Sequence, residues 1–532
     1  MNSDTIIIFF TFLLFTGAVA FFTWYNLRKT NLASSAGYFL GGRSLSGIVI
    51  AGSMLLTNIS TEHLIGMNGN SYVNGFIIIA WEVTSAIALV IAAVYFIPKY
   101  LKMGLTTIPQ FLENRFDGTT RTLVALFLIV SFVVTVLPIV LYTGAISIES
   151  LFGVSNIMEV DKTEGLWITV VIIGAIGSIY AIFGGLKAVA YSDTINGAGL
   201  LLGGLLIPIL ALMEIGDNNI LDGLVKVYEF APEKFNVIGA KDSVMPFEVL
   251  FTGLIINQLY FWGMNQTIIQ RALGAKNLKE AQKGLLITGV FKILIPLVII
   301  LPGVICYYYF QETYFDNQDM VYPELVKKVL PIWLVGFFAA VIMGAVLSTF
   351  NSVLNSAATL FSVGIYKRHI DKNTSDKKLV RIGKGTSAIL AIAAIFAAPM
   401  VANASDGLYQ LLQQLNGIFF IPIASILLAG FFMKKISAMG AKVALIFGLS
   451  FYIIMSWIYT GHGIHFVHLW GIEFVLNVAI MYGVSHFVPR SNMYEITDVK
   501  AVDLTTWKYT KPVSIALCVI TILIYILLGN NS

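Results

Sequence analysis

Stretches of about twenty apolar residues recur from one end of the chain to the other, separated by short polar segments. A helical crossing of a bilayer needs about 20 such residues. A crossing backbone must also satisfy its own hydrogen bonds, which here leaves helices as the spanning element. We read fourteen spans, near 5–27, 46–70, 74–98, 122–150, 166–185, 194–213, 246–269, 284–310, 333–365, 385–403, 407–432, 440–460, 466–488 and 512–529. Spans of about 22 residues would use roughly 310 positions, close to the 57% of the 532 residues that are hydrophobic. Only 12% are charged, against roughly 25% in a soluble domain. A soluble enzyme, a disordered chain and a single-span receptor are excluded. A net charge of +4 gives no reason to expect nucleic acid. The chain reads as an all-α polytopic membrane protein. Cys306 and Cys518 both lie in apolar runs, so no disulfide framework is indicated.

Lysine and arginine predict the orientation. Loops 28–43, 99–121, 186–192, 270–283, 367–384, 433–442 and 489–511 hold 26 of the 33 basic residues; the alternate loops hold six, and Lys292 falls inside a span. The basic set is expected to be cytoplasmic, which places both termini on the extracytoplasmic side. The first run lacks a basic n-region and a small-residue cleavage site, so it reads as a span and not as a removable signal. No P-loop, CxxC pair or HExxH interrupts the pattern, and no nucleophile–base pair or metal cluster suggests an enzyme.

Two spans are poor as continuous helices. Thr57, Asn58, Ser60, Thr61, Glu62 and His63 put six polar side chains into seven residues, and Asn257, Gln258, Gly263, Asn265 and Gln266 interrupt span 246–269. Asn, Ser and Thr compete for backbone hydrogen bonds and favour caps over helix interiors. Broken helix at bilayer depth is tolerated where it lines protein or a cavity. One cluster opens spans two to six and the other opens spans seven to eleven. Two five-helix units entering from opposite sides, each with a broken first helix, is the layout of inverted-repeat transporters.

Intramembrane charges default to functional hypotheses. Glu62, His63, Glu82 and Lys292 are the clearest. One reading is a structural Glu82–Lys292 ion pair. The other is convergence with Ser85, which shares a helix face with Glu82, on a polyhydroxylated solute whose hydroxyls both donate and accept. Trp81, Trp262 and Tyr409 could face a pyranose ring. Ser348 and Thr349 offer hydroxyls that either back-bond to their own helix or face the carbonyls of a broken helix, where they would suit sodium. No Arg lies within a span as drawn, so a carboxylate substrate would lack its bidentate partner.

These motifs carry a family resemblance. Gly37-Tyr38-Phe39-Leu40-Gly41-Gly42-Arg43-Ser44-Leu45, Asn58-Ile59-Ser60, Thr107-Ile108-Pro109-Gln110-Phe111 and Tyr180-Ala181-Ile182-Phe183-Gly184-Gly185-Leu186 with Asp193 come in order. Tyr260-Phe261-Trp262-Gly263, Gln270-Arg271 and Asn355-Ser356-Ala357-Ala358-Thr359-Leu360-Phe361 follow. Over nearly its whole length the chain resembles the sodium/solute symporter family, and within it the bacterial sodium/sugar (galactose, glucose) cotransporters. The resemblance implies a single LeuT-type domain with an extra N-terminal helix (5–27), a first repeat (46–213), an inverted second repeat (246–432) and C-terminal helices (440–529). It implies a bacterial inner membrane and no obligatory protein partner.

By motif, the resemblance implies a sodium site of the Leu56, Ile59 and Ala345 carbonyls with the Ser348 and Thr349 hydroxyls. A second sodium, the open alternative to a single ion, would use Asp193, Asn351 and Ser352. The sugar site would use His63, Glu82, Ser85, Gln258, Lys292 and Gln413, with Trp262 against the ring. Met67, Trp81 and Tyr409 take the outer-gate positions and Phe261 the inner gate. Galactose-transporting members have glutamine where His63 stands, asparagine where Gln258 stands and tyrosine where Phe261 stands. The expected activity is sodium-coupled import of a hexose such as galactose, glucose or mannose by alternating access. The alternatives are symport of inositol, an amino acid or sialic acid, and a sugar-binding sensor or channel.

Overall fold

The computed structural model describes residues 3–28, 34–313, 315, 317–401, 408–490 and 494–529. Its main helices are α1 (Ser3–Leu27), α2 (Gly47–Asn58), α3 (Glu62–Lys102), α4 (Gly118–Phe152), α5 (Lys162–Ile182), α6 (Gly184–Ile215), α7 (Gly253–Gly263) and α8 (Gln266–Leu273). There follow α9 (Leu278–Leu294), α10 (Pro296–Tyr309), α11 (Ile332–Ile370), α12 (Asp376–Ala397), α13 (Tyr409–Phe432), α14 (Ala438–Ile458), α15 (Phe466–Phe487) and α16 (Thr510–Leu528). Several start where a polar side chain ends an apolar run: Asp117, Asn277, Ser375 and Ser437 each accept a first-turn amide of α4, α9, α12 and α14. Such caps satisfy amides that the helix itself leaves without partners.

Among the described residues, eleven helices are long and apolar enough to cross a bilayer, or twelve if α9 and α10, bent by 43°, form one span. The fourteen expected from sequence differ at the two interrupted regions, where α2, α7 and α8 are each too short to cross alone. The 41 residues of α3 would extend about 60 Å as one rod, twice a bilayer core of about 30 Å. Gly75, at φ +70°, divides it. A side chain there would meet the Lys234 carbonyl at 2.5 Å, so the chain folds back at this glycine. The segment 62–74 then lies opposite α2 across the break at 59–61.

Between α5 and α6 the sequence predicts a loop at 186–192. The structure is helical there, with the change of direction concentrated at Gly185 (φ +59°), which packs against the Tyr38 carbonyl. A left-handed glycine replaces a longer loop. α11 is the most enclosed element: from Val335 to Leu360 nearly every residue is buried, with α2, α4, α6 and α1 around it. α1, α12 and α16 sit at the periphery and expose apolar faces, including Ile389, Phe396 and Ile526. An outward apolar surface on peripheral helices is what a lipid solvent requires.

Candidate functional site

The two interrupted regions meet in the interior. α2 ends at Asn58, Ile59 is extended, and the helix resumes at Glu62. α7 ends at Gly263, and Asn265 caps α8 by accepting the Thr267 amide at 2.9 Å. Between them lies a cavity of about 70 Å³ lined by His63, Trp81, Glu82, Ser85, Gln258, Phe261, Trp262, Lys292, Tyr409 and Gln413. It also takes in Asn58, Glu62, Asn257, Asn265, Thr349 and Asn416. Of the residues expected to touch or gate a solute, Met67 alone is outside this lining, fully buried one turn beyond His63.

Several polar groups of the cavity are bonded to one another. Lys292 Nζ donates to the Glu82 carboxylate and, at 2.6 Å, to Asn58 Oδ1. Gln258 Nε2 donates to the Trp81 carbonyl at 2.7 Å and to Thr84 Oγ1 at 3.1 Å, while its oxygen accepts from Ser85 Oγ at 3.0 Å. Gln413 Nε2 donates to the Tyr409 hydroxyl at 2.8 Å. His63 stands 3.6 Å from Glu62 and 3.9 Å from Glu82, with its ring edge-on to Tyr409. Small-molecule sites usually measure about 300–1,000 Å³. The arrangement is therefore a contracted one, in which Glu62 Oε2, His63 Nδ1, Asn257 Oδ1 and Asn416 Oδ1 stay buried without hydrogen-bond partners.

One end of the cavity is closed by rings. Tyr409, Phe466 and Trp470 all pack on Trp81, with centroids 6.0, 6.5 and 6.1 Å away. Behind the break, the truncated last turn of α2 presents carbonyls lacking the amides a continuous helix would supply. Thr349 Oγ1 reaches the Thr57 carbonyl at 3.0 Å. Leu56, Ile59, Ala345, Ser348 and Thr349 are all buried around this point. Carbonyl and hydroxyl oxygens without a full charge form a donor set suited to a hard monovalent cation.

A second charged pair was not foreseen. The sequence reading left Arg271 in a cytoplasmic loop, but α8 carries it fully buried into the interior. Its guanidinium donates to Ser352 Oγ, to the Thr267 carbonyl and, at 3.2 Å, to Ser53 Oγ, and stands 4.0 Å from Asp193. Ser53 in turn donates to Asp193 at 2.6 Å. Arg271 thus bonds Ser352 and stands near Asp193, while Asp193 Oδ1 and Asn351 Oδ1 are both buried without hydrogen-bond partners. Counting basic residues reports the side of the membrane and carries no information on depth, so sequence could not place Arg271. Arg271 is not among the residues that line the cavity.

The profile of the sodium:solute symporter family matches residues 38–448. The chain belongs to this family. It is 43% identical to the uncharacterized symporter YidK of Escherichia coli K12 over 99% of this chain and 91% of that one. It is 32% identical to the sodium/glucose cotransporter of Vibrio parahaemolyticus, with 81% of each covered. The sodium/myo-inositol cotransporter of Bos taurus is 28% identical over 79% of this chain and 62% of that protein. A sodium-coupled sialic acid symporter, solved in a substrate-bound outward-open state, shares the fold at a TM-score of 0.76. There the identity is 21%, with 92% of this chain and 99% of that one covered. As a member of the sodium:solute symporter family, the chain is a multi-pass membrane transporter that couples sodium to a small solute.

Proposed function

We propose that this symporter imports a neutral monosaccharide, a hexose, driven by one sodium ion per solute. The observation that carries the reading is a cavity whose one ammonium is already paired. Lys292 is bonded to Glu82, Glu62 faces the His63 imidazole at 3.6 Å, and the remaining groups are amides, hydroxyls and rings. Such a lining suits a solute rich in hydroxyls and without net charge. His63, Glu82, Ser85, Gln258, Lys292 and Gln413 would bond the hydroxyls and Trp262 would cover the apolar ring face. Trp81, Tyr409 and Met67 would close the outer side and Phe261 the inner. The ion would sit on the carbonyls of Leu56, Ile59 and Ala345 with Ser348 and Thr349. The bond from Arg271 to Ser352 favours one ion over two.

In this reading the chain crosses an inner membrane fourteen times in a LeuT-type arrangement, with both termini outside. Each sodium crossing 100 mV supplies roughly 2.3 kcal/mol, enough to concentrate a neutral sugar about 50-fold before the ion's own gradient is counted. The sodium/myo-inositol relative supports a cyclic polyol as the second reading. Uptake into proteoliposomes, with and without a sodium gradient, tests both against labelled hexoses, inositol, sialic acid and proline. Sodium-driven accumulation of a hexose is expected. Accumulation of proline or sialic acid alone would refute the proposal.

A further inference from the structure

Besides Glu62, Glu82 and Asp193, a fourth intramembrane carboxyl lies outside the transport cavity. Glu473, on α15, is fully buried. Glu82 has Lys292 and Asp193 has Arg271, but no cationic group lies within 4.0 Å of Glu473 among the described residues. Its one bonded neighbour is Asn477, a helical turn on, whose Nδ2 approaches Glu473 Oε1 at 3.4 Å and Ser425 Oγ of α13 at 3.4 Å. That leaves Glu473 Oε2 and Asn477 Oδ1 buried and without hydrogen-bond partners. Both are oxygens, and a buried acceptor left without a donor is costly. They press against the backbone of α14 at Gly448, where an added Cβ would stand 2.7 Å from Glu473 Oε1 and 3.0 Å from Asn477 Oδ1.

We propose that Glu473 and Asn477 form a proton-binding site in the C-terminal helices. One proton, held on the Glu473 carboxyl and donated to Asn477 Oδ1, satisfies both oxygens within α15 and fixes the amide that reaches Ser425 of α13. A metal cation would call for several more oxygen ligands, whereas a proton needs only the two present. The charged and titratable neighbours are few. α14 presents Tyr452, electrostatically within reach of Glu473, and its Lys442, near the other end, is paired with Asp117. α13 contributes Ser425, and α7 contributes no charged side chain. On α15 itself, His468 is bonded to Thr252 and His465 caps the helix.

The site has a route to water and a mechanical consequence. Ser456, one turn past Tyr452 on α14, lines an outer polar cavity of about 560 Å³ together with His465, Phe466 and Leu469. Leu469 is one turn before Glu473. On the other side, α13 carries Tyr409 and Gln413, and α15 carries Trp470, which packs on Trp81. Losing the proton would leave an unbalanced carboxylate between α13 and α15 and loosen the outer closure. This inference is independent of which solute is carried.

Infrared difference spectroscopy of the full chain in liposomes tests it. At neutral pH the wild type should show the carbonyl stretch of a protonated carboxylic acid, shifted in D2O and missing from Glu473→Gln. Asn477→Leu should move the same band, since the acid loses its acceptor; this second variant guards against a misfolded first. A folded wild type without that band overturns the site. Loss of one bound sodium in Glu473→Gln also overturns it, in favour of a metal cation. Initial uptake rates should fall severalfold on the alkaline side in wild type and stay flat in Glu473→Gln. An alkaline fall that survives in the variant overturns the link to the gate.

Discussion

Lys292 on α9 is hydrogen-bonded to Glu82 on α3, and the same ammonium holds Asn58 at the broken end of α2. Three elements are therefore joined through one cation. Lys292 also lies 5.3 Å above the Trp262 ring of α7, so the second interrupted region shares the same charge. A sugar entering here would have to replace these bonds with its own hydroxyls.

Removing one partner should be worse than removing both. Breaking a buried pair leaves an uncompensated charge and typically destabilises by about 3–5 kcal/mol. Lys292→Met is expected to lower the unfolding temperature of the purified protein, and Glu82→Gln with Lys292→Met should restore most of it. Both single variants should bind solute weakly. If each binds normally, the pair serves the fold alone.

Sodium dependence should reside in α11. Ser348→Ala and Thr349→Ala are each expected to raise the sodium concentration for half-maximal uptake. Losing a buried ligand costs about 1–3 kcal/mol, roughly 5- to 150-fold. A double alanine variant with wild-type sodium dependence would remove these hydroxyls from the site.

His63 faces two carboxylates and the Tyr409 ring. An amide, like an imidazole, can donate from one atom and accept at another. His63→Gln is therefore expected to retain uptake, and His63→Ala to weaken solute affinity about 5- to 10-fold, as loss of one hydrogen bond of about 1 kcal/mol implies. Equal affinities in all three proteins, read from competition curves, would leave His63 as a packing residue.

Acid sensitivity of stability should trace to His465, just before the span Phe466–Phe487. Burial pushes its imidazole down from 6.5 to about 4, against a bond to the Val244 carbonyl that works the other way. The neutral ring accepts the Val467 amide as a helix cap. A depressed folded value means the contribution is complete above about pH 6.5 and is lost as pH falls towards 4. By pH 5 the loss should be about 2 kcal/mol. His465→Asn keeps a capping oxygen without a titrating group, so its unfolding temperature should vary less between pH 7 and 5 than that of the wild type.

Much of this was legible locally. Apolar runs of about twenty residues dictate helices because a lipid-exposed backbone has no other partner. The cap residues that end the runs lie next to them in sequence, and the interruptions at Thr57–His63 and Asn257–Gln266 show as polar clusters for the same reason. Glu82 and Lys292 stood out because a charge inside an apolar run is visible without knowing its neighbours. What faces what was decided only in three dimensions. Lys292 lies 210 residues from Glu82, Arg271 lies 218 from the Ser53 that links it to Asp193, and Glu473 has no cation within 4.0 Å among the described residues. Pairing across such separations depends on helix rotation and depth, which follow from side-chain packing between helices. Hydropathy and charge counts carry neither quantity.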